Sequence, residues 1–278
     1  MSKILIIDGY NMIHRCRFQR GGGFAEGEFA IVYNFFRTLR SLVGEFSPDI
    51  VYFPIDGKPA KRLEKSSSYK ANRKVDTEDP DVVLYWESFR RQKNIILSFV
   101  RDAYPIRTAY HPNHEADDLV PHIISEFHPD DSIVVVSSDT DFIQLLSDSE
   151  KIKLYNPISK EYRKATEYDY VSWKAMVGDR SDNIPGVRGI GKVKAESILR
   201  KDGELEQRLL DPSFKKSYTH SYGLIKFLDL SEDKDDIFYT KANLDTESIT
   251  QSFEEMGFSS LLKEEYLENY FDTFSGLG

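Results

Sequence analysis

The chain has 278 residues, of which 40% are apolar and 30% charged, enough to bury one full core with an appendage. No stretch approaches the roughly 20 apolar residues of a membrane span, and the single Cys16 excludes an internal disulfide. The formal net charge of −9 argues against wholesale nucleic-acid binding, although nine acids considered below could account for all of it. With KILIID leading directly into a buried strand, a soluble intracellular protein is expected.

In chain order, the first strand is predicted at Lys3–Asp8 and the first helix at about Glu28–Glu45. A second strand follows at Asp49–Asp56, then a long helix at Asp81–Ala103. A strand at about Pro105–Tyr110 leads into a helix at Glu115–Phe127, and a strand at Ser132–Asp139 into a helix at Asp141–Leu146. The strand Lys151–Asn156 and the helix Glu167–Val177 complete the pattern. The first, second and fourth strands are near-continuous apolar runs, as expected when helices cover both faces of a sheet. Alternation of this kind predicts an α/β fold with a mostly parallel central sheet, whose ligands gather at the carboxyl ends of the strands. Between these elements, Lys58–Lys74 carries seven cations against Glu64 and reads as a mobile basic loop. Beyond about Asp202 the chain is helical and increasingly acidic, and YLENYFDTFSGLG reads as a terminal helix with a frayed end.

Nine carboxylates fall at strand ends or helix starts: Asp8, Asp56, Glu115, Asp117, Asp118, Asp139, Asp141, Asp179 and Asp182. Taken singly, Asp8 or Asp56 is a turn residue after a strand, and Glu115 with Asp118 favours a helix N-terminus. Gathered at one pole, nine acids repel strongly unless cations hold them, which points to divalent metal. Magnesium takes oxygen ligands but keeps most of its waters, so nine acids exceed the needs of one ion and suit two.

The ordered series IIDGYN, IDG, YKANR, EADDL, SSDTD and GDRSDNIPGVRGIG resembles the 5′-nuclease (flap endonuclease) superfamily over roughly Met1–Lys201. It is most similar to the stand-alone bacteriophage 5′-exonucleases and to the 5′-nuclease domain of bacterial DNA polymerase I. The resemblance implies a PIN-like nuclease core over residues 1–178, with a helical arch at about 58–104. A helix-hairpin-helix and C-terminal helical region would occupy 179–278. It implies two metal groups, Asp8, Asp56, Glu115 and Asp117 with Asp118 beside them, and Asp139, Asp141, Asp179 and Asp182. Mg2+ would be the natural ion, with Mn2+ as a substitute. Asp118, Lys70 and Arg73 would belong to the catalytic set, the two cations at the scissile phosphate. DNA contacts would come from Tyr69, Lys70 and Arg73, from Arg90 and Arg91 on the arch, and from Gly189, Ile190, Gly191, Lys192, Val193 and Lys194. Backbone carbonyls of Met176, Val177, Pro185, Val187 and Ile190 are candidates for K+. The implied activity is 5′→3′ exonuclease and flap endonuclease on DNA 5′ flaps, nicks and junctions, including RNA primer–DNA hybrids. The protein would be a cytoplasmic monomer of a bacterium or phage-infected host, partnered by a replication polymerase or single-strand-binding protein.

Several features compete with this reading. Trp86 and Phe89 suit either a passage for single-stranded DNA or a helix packed on the core. Gly186–Lys192 spells GxxxxGK, but Val193 stands where a phosphate-binding loop needs Ser or Thr. His111 and His114 read as a surface turn and not as zinc ligands, and Gly21–Gly23 as a hinge. Pro54 removes a ladder bond from the second strand, so a local bulge is expected there. A catalytically silent junction binder would lack some acids of the series. A PIN-type ribonuclease would lack YKANR and the hairpin.

Overall fold

The computed structural model describes residues 1–18, 27–73, 78–147 and 150–278; the Gly21–Gly23 hinge and Lys74 fall outside them. The chain begins with β1 (Lys3–Ile7), α1 (Gly9–Arg15), α2 (Ala30–Phe46), β2 (Ile50–Ile55), α3 (Ala60–Lys65) and α4 (Pro80–Asp102). It continues through β3 (Arg107–Tyr110), α5 (Ala116–Phe127), β4 (Ser132–Val136), β5 (Ile152–Asn156) and β6 (Glu161–Arg163). The remainder is α6 (Tyr170–Val177), α7 (Lys192–Leu199), α8 (Glu204–Arg208), α9 (Pro212–Ile225), β7 (Phe238–Lys241), α10 (Thr246–Glu255) and α11 (Glu264–Ser275). The expected helix after β4 is a turn of 3-10 helix, Asp141–Leu145, whose first N–H is taken by the Asp139 side chain at 2.9 Å.

All seven strands form one sheet in the order β6-β5-β4-β1-β2-β3-β7. The five central strands are parallel, and β6 and β7 close the edges antiparallel. Side chains of a strand alternate between faces, and here both faces are covered. Leu5, Ile7, Val51, Phe53, Val134 and Val136 pack against α2, α4, α10 and α11, while Ile4, Ile6, Tyr52, Ile133, Val135 and Leu154 pack toward α5. The expected bulge at Pro54 does not form. Pairing with β3 runs unbroken from Tyr52↔Arg107 through Pro54↔Ala109 to Ile55↔Tyr110.

Two further expectations are corrected. The tail is no frayed end: Tyr270 and Phe274 are buried in the main core, Tyr104 and Tyr270 share a 2.7 Å hydrogen bond, and the Gly278 N–H donates to the Asp49 carbonyl at 2.9 Å. The basic segment after β2 is not a loose loop either. It forms α3 and a series of turns anchored by Arg62, which is buried.

The chain runs from β1 to β2 and β3 on one side, then to β4 and β5 on the other. Strand order therefore reverses between β1 and β4. In open α/β sheets, a ligand crevice opens at such a reversal, beyond the carboxyl ends of the strands.

Candidate active site

Asp8 follows β1 and caps α1, accepting the Asn11 N–H at 3.1 Å. Its other oxygen accepts the Ser137 hydroxyl at 2.6 Å, just past β4, so one carboxylate bridges the two strand ends where the order reverses. The Asn11 side-chain oxygen accepts from the Ser138 N–H (3.2 Å) and hydroxyl (2.9 Å), reinforcing the same junction. Ser137 Oγ in turn accepts the Asp139 N–H at 3.0 Å.

Asp56 follows β2 and accepts the Ala116 N–H at 2.7 Å, at the start of α5. Main chain joins these two turns as well. The N–H groups of Gly57, Lys58 and Ala60 donate to the carbonyls of His114, Pro112 and Asn113 at 2.8, 2.9 and 3.1 Å. A Cβ on Gly57 would lie 1.9 Å from the His111 carbonyl oxygen, so only glycine allows the approach. The turn carrying Asp56 and the turn carrying Glu115 and Asp117 are thus fastened together backbone to backbone.

The acids act on one another. Burial raises the Asp8 carboxyl to about 7, with Asp56 and Asp139 adding to the rise. Burial also raises Asp117 far above the usual carboxylate range, helped by Asp8, Asp56 and Asp139. Asp56 moves up through burial and the neighbouring Glu115. Asp8, Asp56, Asp117 and Asp139 are therefore one mutually repelling set at the carboxyl pole of the sheet. Among the described residues no three acidic or imidazole groups form a ready-made metal cage. An all-carboxylate set is the donor chemistry that suits hard cations such as Mg2+ or Mn2+.

The second group is organised by a residue the sequence reading passed over. Lys174 of α6 is buried and pairs with both Asp141 and Asp179, the latter at 2.7 Å. Burial lifts Asp141 to about 6 against the pull of Lys174, with Asp139 adding to the rise. Burial would lift Asp179 too, but Lys174 and the Ser181 hydroxyl and N–H hold it down at about 2. The signal was a lone lysine inside the apolar stretch VSWKAMV, immediately before GDRSDN.

Arg62 is the second missed residue. Its guanidinium forks onto Asp118 at 2.6 and 2.8 Å, reaches Glu115 at 3.0 Å, and donates from Nε to the Leu224 carbonyl at 2.9 Å. Asp118 also accepts the Leu228 N–H at 2.8 Å and is fully buried. Burial would raise its pKa, but His114 and Arg62 hold it below the usual range. Asp118 thus faces Arg62, apart from the set around Asp8. His111 and His114 are buried and not on a surface turn, and His114 Nε2 lies 3.0 Å from Asp233.

Tyr69 is buried as well, its hydroxyl donating to Glu115 (3.1 Å) and Asp182 (3.3 Å), which makes it an internal strut. Lys70 pairs with Glu115 and lies 3.7 Å from Asp182, while the half-exposed Arg73 pairs with Asp182. Lys70 has a left-handed backbone (φ 54°), a strained state for a lysine, with its N–H on the Asp182 carbonyl at 2.9 Å. Asn72 Nδ2 donates to the Arg180 carbonyl at 2.7 Å, and Asn183 Nδ2 to Ser68 at 2.8 Å. YKANR and DRSDN are therefore zipped into one unit that presents Lys70 and Arg73 beside the acids.

On α4, Asp79 caps the N-terminus and Pro80 occupies the first turn. Phe89 is buried and lies 4.7 Å from the His14 ring, and the Arg17 guanidinium sits 4.9 Å over Trp86, so these aromatics pack inward. Arg91 pairs with Glu28 at 2.8 Å, and Arg90 is exposed, its Nε 3.3 Å from the Trp86 carbonyl. In the connection from α6 to α7, Gly189, Gly191, Lys192, Val193 and Lys194 are exposed at the helix N-terminus, with Ile190 buried beneath them. Gly186 is not part of that exposed surface. A Cβ there would lie 2.6–2.7 Å from the chain's own Met176–Gly178 backbone, and Val187 N–H donates to the Met176 carbonyl at 2.8 Å. The Val187 carbonyl accepts the Ile190 N–H at 3.0 Å.

The chain that carries these acids, the basic turn and the glycine-rich connection is similar to known proteins. Residues 3–176 match the family described as 5′-3′ exonuclease, N-terminal resolvase-like domain. The chain belongs to that 5′-3′ exonuclease family. A 5′-3′ exonuclease of Mycoplasmopsis pulmonis is 29% identical over 216 residues, covering 74% of this chain and 69% of its own. The thermostable DNA polymerase I of Thermus filiformis is also 29% identical, over 95% of this chain, which spans 33% of that relative's length. Among solved structures, a bacteriophage T5 D15 flap endonuclease complex with DNA and metal ions shares the fold, with a TM-score of 0.67 at 20% identity over 96% of this chain and 99% of that one.

Proposed function

We propose that the chain is a divalent-metal-dependent 5′→3′ exonuclease and structure-specific flap endonuclease, hydrolysing DNA phosphodiesters near a 5′ end at single-to-double-strand junctions. The observation that carries this reading is the set of carboxylates gathered at the sheet's carboxyl pole, where burial and mutual repulsion raise the pKa of Asp8, Asp56 and Asp117, with Lys70 and Arg73 held beside them. The T5 relative solved with DNA and metal ions supports it.

Asp8, Asp56, Glu115, Asp117, Asp139 and Asp141, with Asp179 and Asp182 behind them, would hold two ions, Mg2+ or Mn2+. When bound, such ions supply positive charge to the phosphate and lower the pKa of an attacking water. Lys70 and Arg73 bring further positive charge to the leaving side. Arg62 and Asp118 hold Glu115 and the basic turn in register. The exposed amides and lysines of Gly189–Lys194 suit sequence-independent contact with duplex phosphates. K+ at the same connection and a polymerase or single-strand-binding partner belong to this proposal, as does a division into 1–178 and 179–278. No helix among the described residues is long and apolar enough to cross a membrane.

Digestion of 5′-labelled flap and nicked duplexes in Mg2+ tests the reading. The wild type should release short 5′ products, and Asp139→Asn should lose at least about 100-fold in rate. Lys70→Ala should lose rate far more than duplex affinity. Absence of cleavage on every substrate would refute the activity, and equal losses of rate and affinity would refute the role of Lys70.

A further inference from the structure

Trp86 and Phe89 face inward, but three other aromatic rings lie along the carboxyl pole of the sheet on its α4 side. Tyr110 ends β3, and its register neighbours are Ile55 of β2 and Phe238 of β7. Alternation fixes the face. Ala109 packs toward α5, and its partner Tyr239 meets Phe127 of α5 at 5.4 Å. Tyr110 and Phe238 therefore project from the opposite face, the one that α4 covers. Their ring centroids are 6.4 Å apart, yet α4 leaves them open, Phe238 61% exposed and Tyr110 36%.

Tyr10 of α1 carries the row back to the acids. Burial, with the neighbouring Asp56 and Tyr110, pushes its hydroxyl up to about 12, so Tyr10 stands close to both. The Lys93 ammonium of α4 lies 5.0 Å over the Tyr10 ring. Burial raises the Asp56 carboxyl, and Lys93 is one of two lysines that pull it back. Arg90, one turn earlier on α4, is exposed. Tyr10, Tyr110 and Phe238 thus lead from Asp56 to β7 at the edge of the sheet, with cationic side chains of α4 beside the start of the row. Open ring faces along a cationic path suit single-stranded nucleic acid, whose unpaired bases have π-faces to offer, whereas the bases of a duplex are already stacked.

We propose that Tyr10, Tyr110 and Phe238 form a stacking track that holds the bases of an unpaired 5′ strand as it leaves the acids. The inference rests on the nuclease reading above and deepens it: the track makes long 5′ flaps tighter ligands than nicks without a flap.

The test is affinity measured with Ca2+ in place of Mg2+, comparing wild type with Tyr110→Ala/Phe238→Ala on a long 5′ flap and on a nicked duplex without a flap. Both residues are exposed, and an unchanged melting temperature checks folding. Alanine in place of a stacked ring weakens binding about fivefold or more per base, so flap affinity should fall about 20-fold or more while nick affinity moves less than about twofold. A flap of abasic sugar–phosphates offers no π-face and should bind wild type and variant alike. The wild type should hold that abasic flap no more tightly than the variant holds the natural one. Phe127→Ala removes an exposed ring on the α5 face and should leave flap affinity unchanged. Unchanged flap affinity in the double variant, an equal loss on the abasic flap or the nick, or an equal loss in Phe127→Ala would each overturn the track. A wild type that binds flaps but releases no product in Mg2+ would refute the nuclease reading, and the affinities would still decide the track.

Discussion

Replacing Arg62 by methionine is the most demanding test of how the site is built. The guanidinium is buried and makes four hydrogen bonds of 3.0 Å or less: two to Asp118, one to Glu115 and one to the Leu224 carbonyl. Asp118 has no solvent exposure, and without Arg62 it would keep the Leu228 N–H at 2.8 Å and the His114 ring, whose Nδ1 lies 3.8 Å away. Removing one partner of a buried ion pair costs about 3–5 kcal/mol, because the other charge is left uncompensated. At about 2–3 °C per kcal/mol for a chain of this size, melting should fall by about 6–15 °C. The double variant Arg62→Met/Asp118→Leu removes both charges and should recover more than half of the loss, whereas Asp118→Leu alone leaves Arg62 stranded. Urea unfolding of the four proteins gives the coupling energy. A cost below about 1 kcal/mol for Arg62→Met, or a double variant no better than the singles, would refute the holding role assigned to Arg62 and Asp118.

Two further predictions concern the acids and the glycine-rich connection. Asp8, raised to about 7, and Asp141, raised to about 6, keep protons in the native state that the unfolded chain releases near pH 4, as do Asp56 and Asp117 in direction. Stability in EDTA should therefore fall as pH rises from about 5 to about 8, with Mg2+ restoring more at the higher pH. Asp179, held at about 2, acts in the opposite sense only under far more acid conditions. A flat melting profile in EDTA would contradict the repulsion among the acids. For the glycines, Gly186→Ala should cost more than about 3 kcal/mol in urea unfolding. At φ +70° its Cβ would lie 2.6 Å from both the Gly178 nitrogen and the Val177 carbonyl carbon. Gly189→Ala shares the positive φ but meets nothing within 4 Å, and should cost only about 1 kcal/mol. Equal costs would show that backbone strain, and not collision, governs both positions.

The central strands were legible in the sequence because burial on both faces leaves a continuous apolar run, and the acids because each follows such a run. The edge strands were not. Glu161–Arg163 and Phe238–Lys241 are short and largely exposed, and their pairing depends on neighbours distant in the chain. Arg62 and Lys174 hid for a related reason. A buried cation is defined by its partners, and those lie 53, 56 and 33 residues away in Glu115, Asp118 and Asp141. The tail did carry a readable pattern, since Tyr266, Tyr270 and Phe274 recur at helical spacing. Its place in the core depends on contacts with Phe36 and Tyr104 through Phe253 and Phe274, which local periodicity does not specify.

The bonds from Gly57, Lys58 and Ala60 to the loop before α5 involve no side chain. The side chains at positions 58, 60 and 113 therefore do not set the distance between Asp56 and Glu115, provided Gly57 stays and positions 58 and 60 keep their N–H groups. The spacing of the acids is heritable through one hydrogen atom where a Cβ would otherwise be, and sequence drift around it leaves the reactive geometry in place.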